Sequence, residues 1–183
     1  MKKILIAFVM LFGAFAANAQ RASEATIWNE DYDFNHSGFF LNPTIGVMTG
    51  DRFNGFGFDI TAGYRWHAGS GFNWDILKVG MNTETSYFGE MFSLRFLSGF
   101  RYNSPALFAG KGLYVDFGLG YQVSTYEGDL SGFAYEVGAG VNLTRLISLG
   151  LVWEGNNTSG DVYEGSTRVD GWGLFGVRLG LNF

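Results

Sequence analysis

Residues 112–124 read GLYVDFGLGYQVS. In an extended chain Leu113, Val115, Phe117, Leu119, Tyr121 and Val123 share one face, and Gly112, Tyr114, Asp116, Gly118, Gly120 and Gln122 share the other. A large apolar residue at every second position is the periodicity of a β-strand with two chemically different faces. Residues 132–143 repeat the pattern, with Phe133, Tyr135, Val137, Ala139, Val141 and Leu143 against Gly132, Ala134, Glu136, Gly138, Gly140 and Asn142. The end of the chain does so again: Phe175, Val177, Leu179, Leu181 and Phe183 oppose Trp172, Leu174, Gly176, Arg178, Gly180 and Asn182.

Extended outward from there, the same alternation predicts eight strands, at 38–48, 56–67, 71–82, 91–103, 112–124, 132–143, 146–155 and 171–183, separated by Gly, Asn, Asp and Ser; no helix is predicted. A weak repeat marks successive hairpins, a carboxylate followed by two small residues on its own face: Asp59-Thr61-Gly63, Asp116-Gly118-Gly120 and Glu136-Gly138-Gly140. The third strand changes phase. Phe72, Trp74 and Ile76 alternate in one register and Leu77, Val79 and Met81 in the other, so an unbroken strand would put Asp75 or Lys78 among the apolar residues. A β-bulge near Ile76 and Leu77 keeps both charges on the polar face.

Volume decides which face is inside. The apolar faces carry about three dozen large side chains, half of them aromatic, whereas an eight-stranded barrel encloses about a dozen in layers. A two-sheet sandwich could hold more, but it would show water a Gly-rich surface with unprotected edges, and it ranks second. The arrangement that suits every strand is all-β: an eight-stranded antiparallel up-and-down transmembrane β-barrel with the apolar face toward lipid. Stretches of ten to fourteen residues also supply the ~9–11 that a tilted strand needs to cross the hydrocarbon. Aromatic residues gather at two levels, Tyr64, Trp66, Phe100, Tyr102 and Phe183 at one rim and Phe56, Phe58, Tyr121, Tyr135 and Trp153 toward the other.

The rest of the sequence agrees. Of 183 residues, 18% are aromatic, which excludes a disordered chain. There is no Cys, which removes disulfides, thiolate metal sites and cysteine nucleophiles. Met1-Lys2-Lys3, the uncharged run Ile4–Ala16 and the small residues Ala17 and Ala19 before Gln20 form a cleaved secretory signal peptide, 1–19, too short in its apolar part to span a bilayer. The chain has 12 Lys and Arg against 17 Asp and Glu, and Lys2 and Lys3 leave with the signal. So acidic a protein is not expected to bind nucleic acid. Residues 20–36, acidic and without period, read as a mobile periplasmic lead-in, and 37–183 as the barrel domain.

With its signal peptide, eight amphipathic strands and a closing run that ends on an aromatic residue, the chain resembles the small eight-stranded outer-membrane barrels of the OmpA and OmpX type over residues 38–183. The resemblance implies the outer membrane, both barrel ends on the periplasmic side, and outer-membrane lipid as partner. It also implies that Leu179, Leu181 and Phe183 form the signal read by the barrel-assembly machinery. Residues 49–55, 83–90, 125–131 and 156–170 would then be the surface loops. The last is the largest and most polar; it is the candidate for a surface partner, with Asp161 and Glu164 a weaker candidate for calcium.

Inward positions carry the carboxylates Asp59, Asp116, Glu136 and Glu154 and the guanidiniums Arg65, Arg101, Arg95 and Arg178, joined by Asp75 and Lys78 if the bulge exists. Counting down the strands puts Arg95, Asp116, Glu136 and Arg178 near mid-height, where a crossed ion-pair cluster is expected. Inward glycines, among them Gly63, Gly118, Gly138 and Gly180, leave room for arginines to lie across the bore. The expectation is a plugged lumen with no cofactor and no metal, in a structural or surface-interaction protein. A narrow channel or a conduit for small hydrophobic solutes is the alternative. An enzyme acting on lipid A comes third: His67 with Ser70, and His36 with Ser37, are both placed at the periplasmic rim, away from the outer leaflet, and neither has a carboxylate to orient it. His67 is expected to be a polar cap bonded through water to Arg65 or Arg101.

Overall fold

The computed structural model describes residues 34–50, 54–84, 92–105, 111–124, 130–159 and 171–183. Its eight strands are β1 (Gly38–Gly50), β2 (Asn54–Gly69), β3 (Phe72–Glu84), β4 (Ser93–Asn103), β5 (Gly112–Ser124), β6 (Leu130–Asn142), β7 (Ile147–Ser159) and β8 (Trp172–Asn182). Each pairs antiparallel with the next, and β8 returns to β1 through pairs from Phe40↔Asn182 to Gly50↔Trp172, so the sheet closes and leaves no edge. The signal peptide, most of the lead-in and the greater part of the loop ending at residue 170 lie outside the described residues.

The two ends differ. At one, the connections between strands are two, eight and four residues long. Ser70 and Gly71 turn β2 into β3 with φ of 51° and 85°, the positive values a two-residue hairpin requires, and residues 104–111 and 143–146 make the other two connections. This turn end also receives both ends of the barrel. The connections 51–53, 85–92, 125–129 and 160–171 lie at the opposite, loop end.

The period-two pattern becomes the barrel wall. Phe56 is 65% exposed and Ile45 62%, and in β5 Leu113, Val115, Phe117, Leu119, Tyr121 and Val123 are all exposed while the residues between them are mostly buried. Aromatic neighbours pack along the outside: Phe39 on Tyr64 at 5.1 Å, Phe72 on Tyr102 at 4.9 Å and Trp74 stacked on Phe100 at 6.4 Å. Higher up, Gly155 and Gly173 face each other across β7 and β8, and the rings of Tyr135 and Trp153 cover them, so exposed backbone is shielded by aromatic surface. The interior holds the ionic residues, but not only those. Phe40 and Tyr114 toward the turn end, and Met48, Trp172 and Leu174 toward the loop end, are buried inside the wall, so apolar layers lie on both sides of the charges.

The bulge in β3 is present where the charges demand it. Tyr64 pairs with Leu77 but Arg65 with Asp75, leaving Ile76 as the extra residue. Ile76 and Leu77 both face outward, and Asp75 and Lys78 both face in. The Asp75 carbonyl freed by the bulge accepts a hydrogen bond from the Ser98 hydroxyl at 3.2 Å, and that hydroxyl accepts one from Trp74 Nε1 at 3.0 Å. A polar residue on the apolar wall thus satisfies backbone that no water reaches in lipid. A second irregularity, between His67 and Gly69, was not legible in the sequence, because Ala68 has neither the bulk nor the charge to reveal a change of face.

The lead-in departs from expectation at its end. Phe34 is buried, its carbonyl accepts from Asn103 Nδ2 at 3.0 Å, and Asn35 Oδ1 accepts from Asn73 and Asn103 at 3.3 Å. Residues 34–36 therefore belong to the barrel rather than to a free segment, because the turn end leaves an opening that an aromatic ring over Gly112 fills.

Candidate functional site

The inward charges meet in one continuous network. Arg178 reaches from β8 across the bore. Its Nη1 lies 3.4 Å from Asp116 Oδ1, and its Nη2 lies 2.9 Å from Glu136 Oε2 and 3.1 Å from Glu154 Oε1. Glu136 extends the chain of contacts to Lys78 Nζ at 2.6 Å, Lys78 to Asp75 at 3.1 Å, and Asp75 to Arg65, which grips both carboxylate oxygens at 2.6 and 3.0 Å. In the other direction Glu154 meets Arg95 Nη2 at 2.9 Å, and Arg95 meets Asp59 at 2.8 Å. Thr61 donates to Asp59 at 2.7 Å. These nine charged residues come from every strand except β1, and each is at most 6% exposed.

Five carboxylates and five cations, counting Arg101, line the described lumen, so its formal charge is balanced. Burial on this scale is tolerable only because each charge in the network has an opposite one in reach. The space is made in part by missing side chains. A Cβ at Gly80 would stand 3.2 Å from the Arg95 guanidinium, one at Gly118 would stand 3.0 Å from Glu136 Cγ, and one at Gly138 would overlap the Asp116 carboxylate. Gly63 instead makes room for the Phe40 ring and Gly150 for that of Tyr114, so the glycines admit aromatic rings as well as arginines.

Of the four residues expected to cross at mid-height, Asp116, Glu136 and Arg178 come together. Arg95 touches neither of those carboxylates and joins them through Glu154, which is a hub rather than a bystander. Arg65 and Asp59 sit at the two ends of the network. Arg101 stands outside it, donating to Asn103 Oδ1 at 3.0 Å and Asn142 Oδ1 at 2.7 Å with its guanidinium 3.6 Å over the Tyr114 ring. Asn103, Asn142 and Tyr114 were not singled out in the sequence, where an inward Asn carries no sign of what it will hold.

His67 is half-buried at the turn end, its Nδ1 3.2 Å from Asn73 Oδ1 and its backbone N–H donating to Ser37 Oγ at 2.8 Å. Its direct side-chain partner is Asn73. Ser70 is exposed in the adjoining turn. Leu179 faces outward, and Leu181 and Phe183 are half-buried. Among the described residues no group of three His, Asp or Glu side chains is arranged to hold a metal; Asp161 and Glu164 lie outside them.

No protein-family model matches the sequence, and no curated protein does either. Among solved structures, the chain is similar to neisserial surface protein A, with 11% identity and a TM-score of 0.56 over 80% of this chain and 97% of that one. It is also similar to the outer membrane enzyme PagL, with 14% identity and a TM-score of 0.54 over 79% of this chain and 99% of that one. At such identities the likeness is one of fold, and it reaches the class rather than the OmpA or OmpX family by name: the chain is a small eight-stranded barrel of the outer-membrane type.

Proposed function

We propose that the protein is an integral outer-membrane barrel closed to solute flow, serving as a structural or surface-interaction element, with its turn end in the periplasm and its loop end at the cell surface. The observation that carries this reading is the ion network from Arg65 to Asp59, which crosses the bore between two apolar layers. An ion entering would have to part paired charges in a low-dielectric interior, which costs several kcal/mol per pair. The exposed apolar wall supports the lipid environment, and the run Leu179, Leu181 and Phe183 on it is the proposed signal for barrel assembly. A non-catalytic role is favoured by the position of His67 and His36, both at the turn end, with His67 bonded to an amide rather than a carboxylate.

A narrow channel is the second reading. It is favoured by polar groups in the loop-side half of the lumen that meet no protein partner, namely Asn82, Gln122 Oε1 and the Nε and Nη1 of Arg95, because such groups are met by water in a folded protein. Planar-bilayer recording of the purified barrel separates the two. Silence at 1 M salt is expected for the closed barrel; discrete, reproducible openings would establish the channel.

A further inference from the structure

We infer that the turn end of the barrel is a binding site for a small monoanion, a halide or a single carboxylate group, centred on Arg101. Arg101 is buried to 2% exposure, yet no carboxylate lies within ion-pairing distance of it among the described residues. Its register partner on β5, Asp116, turns to Arg178 instead. What holds Arg101 is neutral: two Asn oxygens and the face of Tyr114. Asn103 Oδ1 is shared besides with Asn142 Nδ2 at 3.1 Å. A guanidinium cannot shed its charge by losing a proton, and a buried charge without a counter-ion is costly. An anion placed beside it is therefore strongly favoured.

The recess in front of Arg101 has the right walls for one. Arg65 and Arg145 line it with Arg101, and among the described residues no Asp or Glu does. Arg65 is committed to Asp75 and, through Nη1, to Asn182 at 3.0 Å, while Arg145 stands exposed in the turn between β6 and β7. Size sets the ligand class. The open space is about 10 Å³, room for one water-sized group, and the buried ring of Phe34 lines one side. A halide or the oxygen of a single carboxylate is the kind of group that matches so small a space. The carboxylate has two possible sources, a free ion or the acidic residues Glu30, Asp31 and Asp33, which immediately precede Phe34 in the sequence.

The test is the thermal unfolding midpoint of the full mature chain, folded in detergent, as sodium bromide or sodium formate replaces sodium sulfate at constant ionic strength. A ligand of the folded state raises the midpoint with the logarithm of its concentration above Kd. The expected result is a rise with bromide and formate that is lost in Arg101→Gln. Arg145→Gln, on the exposed turn, folds as the parent does and needs about threefold to tenfold more bromide for the same rise, so the question stays answerable if Arg101→Gln does not fold. A parallel series in the Glu30→Gln, Asp31→Asn, Asp33→Asn background separates the sources. A bromide response seen only in that background shows the chain's own carboxylate in the site, and a response in both shows a free anion. No anion-specific rise in either background, a rise equalled by sulfate, or a response unchanged in both arginine variants would overturn the inference.

Discussion

Arg178 contacts three carboxylates at once, and the consequences of removing it are unequal. Glu136 would keep Lys78 and Glu154 would keep Arg95, but among the described residues Asp116 would keep no cation. Arg178→Leu is therefore expected to lower the unfolding free energy by about 3–5 kcal/mol, the usual cost of leaving buried charge unpaired. Asp116→Asn gives up one 3.4 Å contact, keeps an oxygen in place and should cost about 1 kcal/mol. Denaturant titration of the micelle-folded proteins measures both; equal losses would mean that the network is not centred on Arg178. At this scale the sequence revealed which residues face in, because parity along a strand is strict. It did not reveal who pairs with whom. A side chain as long as arginine reaches past its neighbours, as Arg178 on β8 does to Asp116 on β5, and counting positions along tilted strands misjudges height by enough to leave Glu154, the link to Arg95, out of the expected cluster.

Among the elements, β3 is the one whose sequence carries its own correction. Two adjacent apolar residues, with a charge on either side of the pair, leave a single arrangement that keeps both charges out of lipid, so the bulge is legible in the residues themselves. Deleting Ile76 removes the extra residue and restores unbroken alternation, with Trp74, Leu77 and Val79 outward and both Asp75 and Lys78 still inward. The expected outcome is that the deletion protein keeps the compact, faster-running band of the unboiled protein on gels; loss of that band would show that the bulge does more than keep the two charges on one face. The lead-in makes the opposite point. Its acidic, aperiodic sequence reads as dispensable, yet Phe34 is a plug at the turn end. Phe34→Ala should cost about 3 kcal/mol in denaturant titration, as for other large buried aromatic residues. A single aromatic residue outside any periodic run gives no sequence signal of where it will be buried.

For the molecule as a whole, closure of the sheet, inversion of polarity and balance of internal charge are three results of one constraint. In hydrocarbon every backbone group must be paired within the protein, which only a closed barrel achieves with strands, and every ionic side chain must then be turned inward and neutralised there. The eight strands, their order and the apolar wall were legible because this constraint acts on every second residue. The division of the lumen into an ion network, two apolar layers and the basic recess at Arg101 was not, since inside the wall only mutual fit matters and no period enforces it.

The chain contains no Cys, so single spin labels can be placed along β5 one at a time, from Leu113→Cys to Val123→Cys, in the barrel reconstituted into phospholipid vesicles. Collision rates with oxygen, which concentrates in the bilayer, should rise and fall with a period of two, highest at 113, 115, 117, 119, 121 and 123 and low at the positions between them, with a water-soluble nickel reagent excluded from the outward sites. High nickel accessibility at Val115, Phe117 and Leu119, or no alternation along the strand, would contradict the assignment of the apolar wall to lipid.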